Sequence, residues 1–135
     1  MRLLSTSVRA GLAAAALAAL GACAGTPATG LMPASDCFSS VNWRGWSSPV
    51  DDVIYLRVGL NDIYRVDLLP GSGRNLEGGG DFLVSEVRGS NRICSANDLD
   101  LRIASTTGFT TPLFPRTLRK LTPEEVAALP ADHRP

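Results

Sequence analysis

The chain has 135 residues, and its thirteen basic and thirteen acidic side chains cancel to no net charge. That balance leaves no electrostatic footprint for nucleic acid, which is excluded as a partner. A single His and three widely spaced Cys give no zinc-ligand spacing, so neither a metal nor a cofactor is expected.

Arg2 and Arg9 make the first nine residues basic, and Ala10 to Leu20 form a short apolar run. A run of this length is too short for a hydrocarbon core, which needs about 20 residues. A basic start, a short apolar run and small residues after it read as a secretory signal over residues 1–22. The last four letters, Leu20-Gly21-Ala22-Cys23, resemble the lipobox of bacterial lipoproteins. The resemblance implies cleavage ahead of Cys23, a diacylated thiol and an acylated new amino group. Two or more acyl chains hold a protein stably on a bilayer where one does not. Ala24 stands where an Asp in Gram-negative lipoproteins favours the inner membrane. The resemblance therefore implies the outer membrane, facing the periplasm. The alternatives are plain secretion to the periplasm, leaving Cys23 as an odd thiol, and a retained helix.

Cleavage leaves residues 23–135, a single domain's worth with a modest core. Loss of Arg2 and Arg9 leaves eleven basic against thirteen acidic residues, a net charge of about −2. With Cys23 lipidated, Cys37 and Cys94 remain, and in an oxidising compartment they most simply pair. The alternative is two buried free thiols. A bridge would close a loop of roughly 58 residues and contribute about 4 kcal/mol in the chain-entropy model.

Residues 23–35 are small, uncharged and interrupted by Pro27 and Pro33, which describes a flexible tether. A small β domain is expected over 36–105. Val53 to Val58 is a strand, with Ile54, Leu56 and Val58 on one face and Val53, Tyr55 and Arg57 on the other. Gly59 to Asp62 is a turn, and Ile63 to Leu69 returns with Tyr64, Val66 and Leu68 on its apolar face, completing a hairpin. "PGSGRNLEGGG" is a loop, "DFLVSEVRG" a further strand and "GSN" a tight turn. "RICSANDLDLRIAS" alternates, with Leu99, Leu101 and Ile103 inward and Asp98, Asp100 and Arg102 outward, and "SAND" splits it into two short strands. About five strands at this spacing predict an all-β domain, a small antiparallel sheet curling into a barrel or sandwich. Residues 106–135 form a C-terminal extension with no clear period until a short helix near 123–129. There Thr122 is the N-cap, Pro123 opens the first turn and Glu125 completes a capping box. "PADHRP" is expected to be disordered.

Between Cys37 and Ser105, four features occur in order: Cys37, the Asp51-Asp52 pair before an apolar strand, Tyr64-Arg65 with Leu68, and Ile93-Cys94. This order resembles a group of small exported Gram-negative proteins built on a domain of unknown function. The resemblance covers about half the chain and transfers no catalytic role.

Trp43 and Trp46 could form a stacking platform for a sugar ring, or cap the core. Asp51 and Asp52, with Asp81 and Glu86, are the carboxylates a hydrolase or glycan-modifying enzyme would use, although adjacent residues on a strand point apart. Arg116, Arg119 and Lys120 form a basic cluster that would suit acidic headgroups or stay solvated. "GSGRNLEGGG" lacks the Gly-Lys-Ser/Thr ending of a phosphate loop. His133 lies three residues from the end, where no third group orients it, so a Ser or Cys nucleophile lacks a usable base. The expectation is a lipid-anchored, non-enzymatic accessory or binding module of the cell envelope, with an envelope protein or glycan as partner. The alternative is a small carboxylate-dependent hydrolase.

Overall fold

The computed structural model describes residues 30–74, 76 and 82–135. The signal segment, Cys23, most of the tether and Asp81 lie outside the described residues. The strands are β1 (Phe38–Ser39), β2 (Trp43–Val50), β3 (Val53–Val58), β4 (Asp62–Leu68), β5 (Phe82–Glu86), β6 (Arg92–Ile93), β7 (Asp100–Ala104), β8 (Thr110–Pro112) and β9 (Pro115–Lys120). Among the described residues a single α-helix, α1 (Pro123–Ala128), follows. The strands form three antiparallel sheets, ordered β2-β3-β4-β9, β5-β7-β8 and β1-β6. The fold is all-β and sandwich-like, with open sheets rather than a closed barrel.

The β3–β4 hairpin is the centre of the large sheet, paired in unbroken register from Val53↔Asp67 to Val58↔Asp62. Gly59 supplies the positive φ that its turn requires (63°). Ile54, Leu56, Val58, Tyr64, Val66 and Leu68 all bury their side chains on one face. Leu101 and Ile103 from the small sheet and Leu99 just before it meet them, joined by Phe38 of β1 and Ile93 of β6. The opposite face of the hairpin is also covered. Tyr55, Ile63 and Leu121 form a second cluster under Val126 and Leu129 of the helical segment. Burial on both faces explains why "VIYLRV" reads as a nearly continuous apolar run rather than an alternation.

The β domain does not stop at Ser105. Pro115–Lys120 pairs with β4 from Leu68↔Pro115 to Tyr64↔Lys120 and is the fourth strand of the large sheet. It shows no period because only Leu118 of its side chains is buried. The sequence also hid the short β1 and β8, and the eight-residue β2. Gly45, Ser47, Ser48 and Pro49 of β2 are poor strand formers, and β2 survives as an edge strand, where proline is tolerated. Helix α1 has the expected cap: Thr122 Oγ1 accepts from the Glu125 amide at 3.3 Å, and the Glu125 carboxylate accepts from the Thr122 amide at 2.9 Å.

The tail expected to be disordered is ordered and folded back. Ala131–His133 form a 3-10 turn, and Ser47 Oγ donates to the His133 carbonyl at 2.6 Å. Arg134 donates to the carbonyls of Ala127 at 2.9 Å and Leu129 at 2.7 Å, capping the helix end with a cation, as the helix dipole favours.

Cys37 and Cys94 form a disulfide, with Cα atoms 4.4 Å apart. It lies directly beside the two-residue β1–β6 ladder, Phe38↔Ile93 and Ser39↔Arg92. It thus ties the start of the domain to the strand that leads into the small sheet.

Candidate functional site

Trp43 and Trp46 are turned toward the core. The pairing of β2 with β3 runs Trp43↔Val58, Gly45↔Arg57, Trp46↔Leu56, with an extra residue between Trp43 and Gly45. That bulge puts both indoles opposite core residues, on the core face, although they are three positions apart. Both are half-buried and pack against the main cluster, and Trp43 Nε1 donates to the Gly45 carbonyl at 2.7 Å. Each thus caps the core with part of its ring.

Two of the carboxylates named from the sequence, Asp52 and Glu86, have structural work. Asp52 sits in the β2–β3 turn with φ of 62°, a left-handed conformation that an Asp tolerates. Its Oδ2 accepts from the Gly71 amide at 2.7 Å and its Oδ1 from the Gly73 amide at 2.6 Å. These bonds, Gly71 first and then Gly73, hold its pKa below the usual value. Gly73 presses so closely that an added Cβ would meet Leu68 Cδ1 at 2.8 Å and the Asp52 nitrogen at 2.9 Å. Asp52 is therefore the latch of the β4–β5 loop, and Asp51 beside it is exposed. Glu86 ends β5 and faces Arg102 Nε at 3.3 Å. Asp98 behaves like Asp52: it accepts from the amides of Cys94 and Ser95, both at 2.9 Å, and the Cys94 bond leads in lowering its pKa. The basic cluster is answered by acids. Arg119 pairs with Glu125 at 2.8 Å and Lys120 with Asp62 at 2.9 Å, leaving Arg116 exposed. Ser47 and His133 do approach each other, but the serine hydroxyl donates to the main-chain carbonyl rather than to the imidazole. Among the described residues no three His, Cys, Asp or Glu side chains form a group able to hold a metal ion.

A concavity the sequence did not single out lies on the outer face of the small sheet. Strand register puts Glu86 opposite Asp100, and Val84, Arg102 and Pro112 in one row. These residues share the face turned away from Leu101 and Ile103. Arg88 after β5, Asn97 before β7, and Pro112 with Phe114 around the end of β8 complete the walls of an open cleft of about 470 Å³ floored by Asp100 and Arg102. A smaller hollow of about 120 Å³ continues from it, sharing Arg88, Asn97 and Asp100 and reaching Arg92 and Asp98.

The walls are held firmly. Phe114 donates its amide to Ser72 Oγ at 2.8 Å and accepts at its carbonyl from the Leu69 amide at 2.8 Å, while its ring stays 55 % exposed. The Leu113 amide is fixed to the Leu101 carbonyl at 2.9 Å. The polar floor is less settled. The Arg88 guanidinium touches Asp100 Oδ2, and Arg102 Nε stands 3.8 Å from Asp100 Oδ1. Yet Asp100 Oδ2 and Arg102 Nε are both buried without an aligned hydrogen bond.

No family model, no curated protein and no solved structure matches this chain.

Proposed function

We propose that the chain is a lipid-anchored protein of the Gram-negative cell envelope, held on the periplasmic side of the outer membrane through Cys23, and that it acts as a binding module rather than an enzyme. The anchoring part rests on the lipobox-like Leu20-Gly21-Ala22-Cys23 and the short apolar run before it. The Cys37–Cys94 disulfide supports an oxidising compartment. The observation that carries the binding role is the open cleft on the small sheet, whose aromatic and charged walls converge on one volume. Two of the carboxylates that a hydrolase would need free are engaged: both oxygens of Asp52 accept main-chain amides, and Glu86 faces Arg102.

The test is fractionation of a Gram-negative host expressing the full chain. The protein should partition with outer-membrane vesicles, and Cys23→Ser should abolish acyl labelling of the chain. Unlabelled protein recovered from the periplasmic fraction, with the wild-type Cys23 in place, would overturn the anchored reading.

A further inference from the structure

We propose that the cleft on the small sheet binds a neutral saccharide, stacking a sugar ring on Phe114 and gripping its hydroxyls with Asp100, Arg102 and Asn97. This assignment rests on the reading of the chain as a binding module and names its ligand class.

The first argument is charge. The two arginines that line the cleft are each paired with a carboxylate, Arg88 with Asp100 and Arg102 with Glu86 beside the cleft, and the continuation sets Arg88 and Arg92 against Asp98 and Asp100. An anion would meet Asp100 at the floor, and a cation would meet Arg88 and Arg102. The field selects neither sign, so binding falls to hydrogen bonding and shape.

The second argument is the unmet hydrogen-bonding capacity. Asp100 Oδ2 and Arg102 Nε are buried without an aligned hydrogen bond, and each is met by an ion pair instead, Asp100 by Arg88 and Arg102 by Glu86 at 3.3 Å. An ion pair without an aligned hydrogen bond leaves directional bonding capacity that a ligand hydroxyl can take up. A sugar hydroxyl both donates and accepts, so one hydroxyl, or two on neighbouring carbons, can answer a carboxylate and a guanidinium together. The arm that covers Asp100 is Arg88, whose side chain is 74 % exposed and is free to swing aside. Asn97, also exposed, adds an amide that donates and accepts.

The third argument is the platform. Phe114 is an exposed aromatic at the cleft wall with Pro112 nearby, and its backbone is pinned by two hydrogen bonds. An aromatic face next to bidentate polar side chains matches a pyranose, which has an apolar C–H face and an equatorial belt of hydroxyls. A purely apolar ligand would cover the polar floor of Asp100 and Arg102 without hydrogen-bonding to it.

The experiment uses the full lipidated chain in detergent micelles, titrated with chitotetraose, cellotetraose and maltotetraose, each followed by calorimetry and by NMR. At least one should bind saturably. Phe114→Ala, a surface change, should weaken it about tenfold or more, the scale of one stacked ring. Asp100→Asn should weaken it too, and Arg116→Ala, outside the cleft, should leave it intact. Binding that ignores Phe114→Ala, or that inorganic phosphate displaces, would overturn the assignment. A photo-crosslinker at position 114 in intact cells separates the remaining failures. Capture of a protein there, with no saccharide bound, would overturn the saccharide while sparing the binding module; capture of nothing, with no saccharide bound, would overturn both.

Discussion

Reduction of the Cys37–Cys94 bridge is the perturbation with the largest calculable effect. The two cysteines are 57 residues apart, and the loop between them holds β1 to β6, which include the central hairpin. Releasing a loop of that size restores chain entropy to the unfolded state worth about 4 kcal/mol at 25 °C. The folded state offers little to offset it, because the adjacent β1–β6 ladder has only two residue pairs. A stability loss of this size in a domain of about a hundred residues lowers Tm by roughly 15 °C or more. Thermal melts of the oxidised protein, the reduced protein and the Cys37→Ala/Cys94→Ala double variant measure it. The reduced and double-variant forms should coincide. A drop of only a few degrees in both would refute the loop-entropy reasoning.

Acid should weaken the fold in a defined window. Asp52, Asp98 and Asp67 all have pKa values lowered in the folded state: Asp52 by the Gly71 and Gly73 amides, Asp98 by the Cys94 amide above all, and Asp67 because bonds from Thr117 and Arg65 outweigh the upward push of its burial. Their contribution is complete above the unfolded carboxylate value of 3.8 and is lost as pH falls through the lowered folded values. Urea midpoints measured from pH 7 to pH 2 should hold steady and then decline below about 4, and Asp52→Asn should flatten part of that decline. Gly73→Ala should destabilise by about 1–3 kcal/mol, since its Cβ would strike Leu68 and the Asp52 backbone; denaturant titration reads it. Leu101→Ala, at a side chain with no exposure, should cost about 2–5 kcal/mol by the same assay.

What could be read from the letters depended on how each segment is stabilised. The β3–β4 hairpin was legible because its own residues carry the signal: β-branched and aromatic runs around a turn with Gly59 and Asn61. The alternation of Leu99, Leu101 and Ile103 correctly gave an inward face, with Asp100 and Arg102 outward. Strand β9 was not legible, since five of its six side chains are not buried and its strand state comes from backbone pairing with β4, about fifty residues upstream. The folded-back tail was hidden for a similar reason: it is held by Ser47 and by main-chain carbonyls. The two tryptophans stood out by chemistry alone, and the bulge in β2 that turns both toward the core has no signature in "NWRGW". The cleft joins residues from the ends of β5 and β8 and the start of β7, so its polar floor could be read as an outward face. Phe114, from an aperiodic stretch, joins it through the β7–β8 pairing before it and its main-chain bonds to Ser72 and Leu69, which no local pattern announces.

The central claim is that the chain is cut ahead of residue 23 and fastened there to a bilayer. Intact-mass and terminal-peptide spectrometry of protein extracted from native membranes tests it most directly. The account predicts a chain that starts at Cys23, carries the mass of its acyl groups and lacks residues 1–22. A chain that starts at Met1, or one that starts at Cys23 without acyl mass, would contradict it.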